Sequence, residues 1–173
     1  MTNIRLLTPD DTPQYVTIWR KALVEQAEYF RIALADNPAQ DIPTRFGNDS
    51  FTLGVFSNGS LKGSVSIERD SRIKFRHKAL LFKMFVDGEL AGKGVGRALI
   101  TQAMDLAAQV DGLRQLYLTV LASNRRAIHL YTSLGFVEFA HEPEAVLIGD
   151  SYVDEIQMVH FLNGKHSEKI LNT

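Results

Sequence analysis

Ala91-Gly92-Lys93-Gly94-Val95-Gly96-Arg97-Ala98-Leu99-Ile100 sets glycines at alternate positions immediately before a helix-forming segment. Glycine lets a backbone turn through left-handed conformations and approach an anion closely. The first turn of the helix that follows adds unpaired N–H groups and the positive end of its dipole. The stretch therefore reads as a phosphate cradle. Two common cradles do not match it. A Walker loop needs Ser or Thr after Gly-Lys, but Gly94 follows Lys93. A dinucleotide fingerprint needs a third glycine three positions after the second, and Arg97 or Leu99 stands there, depending on the starting glycine.

Outward from the cradle, the pattern is strand, loop, helix. Residues 79–86 are apolar apart from Lys83, as a buried central strand requires. Residues 96–110 carry Leu99, Ala103, Leu106 and Val110 at helical spacing, and Asp111-Gly112 supplies the stop. A second block follows: Leu116-Tyr117-Leu118-Thr119-Val120-Leu121-Ala122-Ser123-Asn124-Arg125-Arg126-Ala127-Ile128-His129-Leu130-Tyr131-Thr132-Ser133-Leu134-Gly135-Phe136. It reads as a strand running into a helix that starts near Asn124 and ends at Gly135. With Asn124 as cap, Ile128 and Tyr131 fall on one face, expected to look into a cleft.

Together the two blocks resemble the GNAT superfamily of N-acetyltransferases over residues 78–136, and the rest of the chain resembles it in outline. The pantetheine-pyrophosphate loop of that family has Arg or Gln, two residues, Gly, any residue, then Gly or Ala. Ala91, Gly94 and Gly96 occupy those places, and Ala91 departs from the pattern by bringing no side-chain donor. The family's other signature is a strand, an Asn, an Ala three residues on, Leu-Tyr and Leu-Gly-Phe. Asn124, Ala127, Leu130-Tyr131 and Leu134-Gly135-Phe136 match it.

The resemblance implies acetyl-CoA as co-substrate and direct transfer of its acetyl group to a primary amine. The pyrophosphate would lie against Ala91, Gly92, Lys93, Gly94, Val95, Gly96 and Arg97, and Asn124 would touch the cofactor. Main-chain groups at Met84, Phe85 and Val86 would hold the acyl carbonyl and pantetheine arm. Tyr131 would protonate the departing thiolate. The implied fold is a mixed α/β GNAT-like domain over residues 1–162, with a mostly antiparallel twisted sheet, a parallel central strand pair and flanking helices. Residues 163–173 form a polar tail.

Attack on a thioester needs a neutral amine, so a group or water chain must take a proton from an ammonium. Glu68, at the end of the third strand, is the first candidate for this base. His77, Asp154 and Glu155 follow it.

Composition excludes several other classes. The 173 residues suit one well-buried core. Lys plus Arg number 19 against 20 acidic residues, so no global positive field recruits nucleic acid. There is no cysteine, which removes disulfides, thiolate metal sites and a sulfur nucleophile together. No histidine pair has the helical spacing of a zinc site, so no metal is expected. Met1-Thr2-Asn3-Ile4-Arg5 lacks a charged-then-apolar leader pattern, and no run reaches the roughly 18 apolar residues of a membrane span. The expected setting is cytoplasmic, with no membrane partner.

The outer segments read more simply. Residues 4–7 suit a first strand, and Thr12-Pro13 opens a helix with proline at its first position. Tyr15, Ile18, Trp19 and Ala22 form its apolar stripe, which continues toward Phe30 and Leu34 before Pro38 and Pro43 end it. Residues 51–56 and 61–67 flank Ser57-Asn58-Gly59-Ser60, a hairpin signal. Residues 136–140 and 145–148 read as strand segments interrupted at Pro143, and 152–161 as a final strand.

In family members the acceptor lies between the N-terminal helices and the last strands. Here those segments hold aromatics with Glu25, Glu28, Asp154 and Glu155, a mix expected to hold an organic cation. The expected acceptor is a small-molecule or amino-acid-like amine, the alternatives being a peptide or protein amine or a non-catalytic acyl-CoA-binding module. A homodimer is compatible with the sequence.

Overall fold

Asn58 and Gly59 both take positive φ, 50° and 78°, the primed turn whose twist matches the strands it joins. They close a hairpin of β2 (Ser50–Ser57) and β3 (Ser60–Arg69), which the other strands extend on both sides. The computed structural model describes residues 2–36 and 40–162. Within them, β1 (Thr2–Leu6), β4 (Lys78–Val86), β5 (Gln115–Leu121), β6 (Val137–Ile148) and β7 (Ser151–Phe161) complete a seven-stranded sheet of order β1-β2-β3-β4-β5-β7-β6. Every neighbouring pair is antiparallel except the central β4 and β5, which are parallel. This is the mixed architecture that the sequence predicts.

Helices cover both faces. Leu99, Ile100, Ala103 and Ala107 of α2 (Val95–Ala108) and Tyr131 of α3 (Arg125–Ser133) pack on Leu53, Val65, Ile67, Leu81, Leu116 and Leu118. On the opposite face, α1 (Thr12–Glu25) buries Tyr15, Ile18, Trp19, Ala22 and Leu23 against Phe56, Leu61 and Phe85. Covering on both sides leaves nearly all of β2 buried, and its polar residues Ser50 and Thr52 are buried with hydrogen-bonded hydroxyls.

Two boundaries differ from expectation. The α1 stripe stops at Glu25, and Gln26 ends the helix with φ −132°, outside the helical range. The chain then passes through short 3-10 turns at Ala27–Tyr29 and Leu34–Asp36, with Leu34 41% exposed. Aromatic packing of Phe30 on Trp19, centroids 5.2 Å apart, takes over from helical periodicity. Pro38 and the tail at 163–173 lie outside the described residues. Pro143, read as an interruption, sits inside one continuous β6, absorbed by a register shift between Glu142 and Val146 and a positive φ of 52° at Glu144. Among the described residues no helix is long and apolar enough to cross a membrane.

One irregularity shapes the centre of the molecule. Ser64 pairs with Phe85 but Ser66 with Phe82, so Val65 faces two residues of β4. Lys83 forms this bulge with φ 48°, a left-handed conformation rare for a non-glycine residue. The extra residue reverses the side-chain alternation. Leu81 therefore faces the α2 side of the sheet while Phe85 joins Trp19 on the α1 side.

Candidate active site

β4 and β5 are paired only where residues 78–80 meet 115–117. Beyond that point β4 stays on β3 and β5 stays on β7, while the sheet's twist, increased by the bulge, carries the two apart. The gap opens a cleft of about 1040 Å³, with residues 80–86 on one side and 118–121 on the other. Main-chain groups of a central strand are here turned toward a cavity instead of a neighbouring strand. Such groups need a partner when water is displaced, so this edge can bind a ligand's carbonyl and amide groups.

The glycine loop closes one end. Gly92 and Gly94 both have φ 75°, and a Cβ built at either would meet nothing within 4 Å. Open space therefore stands in front of the loop. Gly94 caps α2, and Ala98 N donates to Gly94 O at 3.0 Å as the helix's first closed turn. The N–H groups of Val95, Gly96 and Arg97 precede that turn at the positive helix end, the arrangement that receives a phosphate.

Upstream, Asp87 anchors the loop. Its carboxylate accepts from Glu89 N at 3.0 Å and from Lys21 Nζ at 2.6 Å, and its N–H donates to Lys62 O at 2.8 Å. Downstream, Arg97 Nη2 donates to Ser133 Oγ at 2.7 Å, tying α2 to α3.

α3 forms the facing wall. Asn124 Oδ1 accepts from Ala127 N at 3.1 Å, the cap that the sequence predicts, and the residue also lines the cleft. Replacing it with alanine is expected to cost about 1 kcal/mol of stability, read from chemical denaturation, because an N–H of the first turn loses its acceptor. An unchanged midpoint would show that this cap is energetically idle. Seven residues on, Tyr131 lines the same cleft, only 7% exposed, its ring edge-on to Phe136 at 5.8 Å. Burial pushes its hydroxyl pKa above the ordinary phenol value, so the group keeps its proton throughout the neutral range.

Met84, Phe85, Val86, Ala91, Gly92, Gly94, Val95, Gly96, Arg97, Asn124 and Tyr131 thus surround one cleft. Lys93 does not join them, and lines a smaller recess with Thr2, Asn3 and Val55. Ile128, expected on the cleft face with Tyr131, packs into the core, and Ala127 and Leu130 line the cleft instead.

Glu68 is also elsewhere. Its carboxylate is held by Arg45 Nη1 and by Ser50 Oγ, and the residue is absent from the cleft walls. His77 sits in the turn before β4, where its carbonyl accepts from Arg114 N and Gln115 N. Asp154 accepts from His141 at 2.8 Å and from Glu144 N at 2.9 Å.

The structure adds residues that the motifs do not mark. Trp19, Gln26, Tyr29, Phe30, Arg31 and Lys83 line the end nearest α1, and Arg126 and His129 the α3 side. Of these, Lys83 carried a signal in the sequence, being the lone charge inside an apolar strand. Glu25, Glu28, Asp154 and Glu155, expected to make this end acidic, are all absent from its walls, and Glu25 lies 3.9 Å from Lys21 instead.

Known proteins share both sequence and shape with this chain. A spermidine N(1)-acetyltransferase of Vibrio cholerae is 34% identical over 105 residues, 61% of this chain and 60% of that protein. The match thus spans about three fifths of the relative's length. The [ribosomal protein bS18]-alanine N-acetyltransferase of Escherichia coli is 44% identical over 61 residues, 35% of this chain and 40% of the relative. A Salmonella typhimurium protein solved with its cofactor acetyl-CoA superposes with a TM-score of 0.79, covering 95% of this chain and 96% of its own at 23% identity, a likeness of fold. The family model for acetyltransferases (GNAT) matches residues 12–136, which contain every wall of the cleft, and this chain belongs to that family.

Proposed function

We propose that the protein transfers an acetyl group from acetyl-CoA directly to the primary amine of a small molecule. The observation that carries this reading is the meeting of three features in one cleft: the left-handed glycine loop before α2, the parted edge of β4 and the buried Tyr131. Acetyl-CoA supplies an activated acyl group and an anionic tether. The open space before Gly92 and Gly94 fits its pyrophosphate, with the N–H groups of Val95, Gly96 and Arg97 as donors.

Main-chain groups of Phe85 and Val86, freed from pairing with β5, would polarise the acyl carbonyl by hydrogen bonding, which favours the charge that develops during attack. Tyr131 holds a proton at neutral pH and would deliver it to the departing sulfur. No carboxylate lines the cleft among the described residues; the amine's proton would leave through solvent, or the acceptor would arrive neutral.

Release of CoA thiol across a panel of small amines and peptide N-termini tests this. Turnover on several small amines is expected. Turnover on peptide N-termini alone would replace the small-molecule reading with a protein acceptor. CoA binding without turnover on any amine would make the chain a non-catalytic acyl-CoA-binding module.

A further inference from the structure

The glycine loop owes its shape to what holds its two ends. Gly88, Gly92 and Gly94 stand within seven residues of one another, and glycine loses more backbone freedom on ordering than any other residue. Leu90, Ala91, Gly92 and Gly94 have no polar side-chain atom with which to fix a turn, and Lys93 lines a separate recess. Downstream, α2 holds Gly94 through the bond from Ala98 N. Upstream, the polar contacts are those of Asp87, joined by the buried side chain of Leu90.

Asp87 follows directly on Val86, the last residue of β4, and its side chain is only 4% exposed. One carboxylate oxygen accepts from Glu89 N at 3.0 Å and caps the short turn Gly88–Leu90, while the other accepts from Lys21 Nζ at 2.6 Å. Main-chain bonds carry the constraint onward. Leu90 N donates to Asp87 O at 2.9 Å, Ala91 N to Gly88 O at 3.0 Å and Lys93 N to Leu90 O at 3.4 Å, so the series reaches the neighbour of Gly94.

Lys21 belongs to α1, which packs on the face of the sheet opposite α2. Neither Lys21 nor Asp87 lines the cleft. Burial by itself would raise the Asp87 pKa, but the bonds from Lys21 and Glu89 N hold it below the ordinary carboxylate value, and the group stays charged at neutral pH. Without Lys21 that charge would lack its counter-ion in a buried setting, and the turn would have to rearrange to bring the carboxylate to water. A second tie, from Lys62 Nζ to Glu89 at 2.8 Å, lies at the surface, where Glu89 is 66% exposed and solvent weakens the pair.

We propose that Asp87 and Lys21 are positioning residues for the cofactor: their ion pair pins the Gly88–Leu90 turn to α1 and so sets where the glycine loop and the first turn of α2 present their N–H groups to the pyrophosphate. This rests on the acetyl-CoA reading above and goes beyond it, because cofactor affinity then depends on a residue of α1 that lies outside the cleft. The pair acts on binding of the phosphates, not on the acyl-transfer step.

The test compares acetyl-CoA with S-acetylpantetheine, which keeps the thioester and the pantetheine arm and lacks the pyrophosphate and nucleotide. CoA binding is measured by calorimetry, and kcat and KM for both thioesters with a small amine that the panel above shows to be turned over. Lys21→Met and Asp87→Asn are each expected to weaken CoA binding and raise KM for acetyl-CoA by about tenfold or more, while kcat at saturation stays within about twofold. Their kcat/KM for S-acetylpantetheine should change little, so the preference for acetyl-CoA falls by the same factor of about ten. Lys21→Arg, which keeps the charge, should restore most of the affinity, and Glu89→Gln, which breaks only the exposed tie, should stay within about twofold of wild type. Lys21 is 37% exposed, so its variant keeps the test available even if Asp87→Asn does not fold, and thermal melting identifies the folded protein.

Native CoA affinity in folded Lys21→Met would overturn the proposal. An equal loss for both thioesters, the mark of general loosening, would overturn it too, as would a fall in kcat with affinity unchanged. A loss in Glu89→Gln as large as that in Asp87→Asn would move the role to the exposed tie. A wild-type protein that prefers acetyl-CoA over S-acetylpantetheine by no margin would overturn the phosphate cradle and this proposal with it. Turnover of no amine would instead overturn the acetyl-transfer reading, and CoA calorimetry on the same variants would still decide the role of the pair.

Discussion

Tyr131→Phe is expected to lower kcat by roughly 10²-fold or more while CoA affinity stays nearly constant, the signature of a lost proton donor. The substitution removes one oxygen and keeps the ring, so the edge-on contact with Phe136 at 5.8 Å survives. Tyr131 is buried and its pKa is raised, so the wild-type hydroxyl remains protonated as pH rises through the neutral and mildly alkaline range. The variant's deficit should accordingly persist over that whole range and vary little with pH. Single-turnover kinetics with a good amine acceptor gives the comparison under conditions where chemistry limits the rate. Wild-type turnover in the variant would remove Tyr131 from the mechanism.

Gly94→Val is expected to abolish detectable CoA binding, a loss of 10²-fold or more by calorimetry, with a modest fall in thermal stability. The protein itself leaves room for the new side chain, because a Cβ at Gly94 meets no atom within 4 Å. What resists it is the backbone. A φ of 75° is costly for a β-branched residue, on the order of 1–3 kcal/mol, and relief of that strain would turn the first N–H groups of α2 away from the phosphate site. The added methyl groups would also fill the space in front of the cradle.

Gly96, which the sequence motif weights equally, is less constrained. It lies within α2, and a Cβ there would make ordinary contacts, 3.4 Å from Met84 Cε and 3.6 Å from Leu130 Cδ2, so neither backbone strain nor a clash requires glycine at that position. A folded Gly94→Val protein with native CoA affinity would show that the phosphates bind elsewhere.

Features legible in the chain alone were those set by short-range geometry. Left-handed glycines before α2, the Asn124 cap, the Asn-Gly hairpin and the alternation of apolar residues each depend on neighbours within a few positions. The α2 and α3 side of the cleft follows from them, because one loop and two helix starts carry most of it. The end of the cleft nearest α1 was not legible in this way. Glu68 looked like a strand-end acid, yet β2 brings Ser50 beside it in register and the preceding loop adds Arg45. Glu155 looked like part of an acidic lining for an organic cation, but α1 ends early and the chain turns to lay Arg31 over it.

By itself, the sequence determined the kind of sheet, the two helix starts and the glycine loop before α2, since these are written in periodicity, caps and glycine conformations. Only the tertiary structure decided where β4 and β5 part, that Lys83 bulges and reverses the alternation of β4, and which charges line the cleft. The physical reason is distance along the chain. Local rules choose backbone conformations, whereas the sign of a site's field depends on which remote side chains become paired and buried, and Arg31, which precedes β2, meets Glu155 of β7, far along the chain.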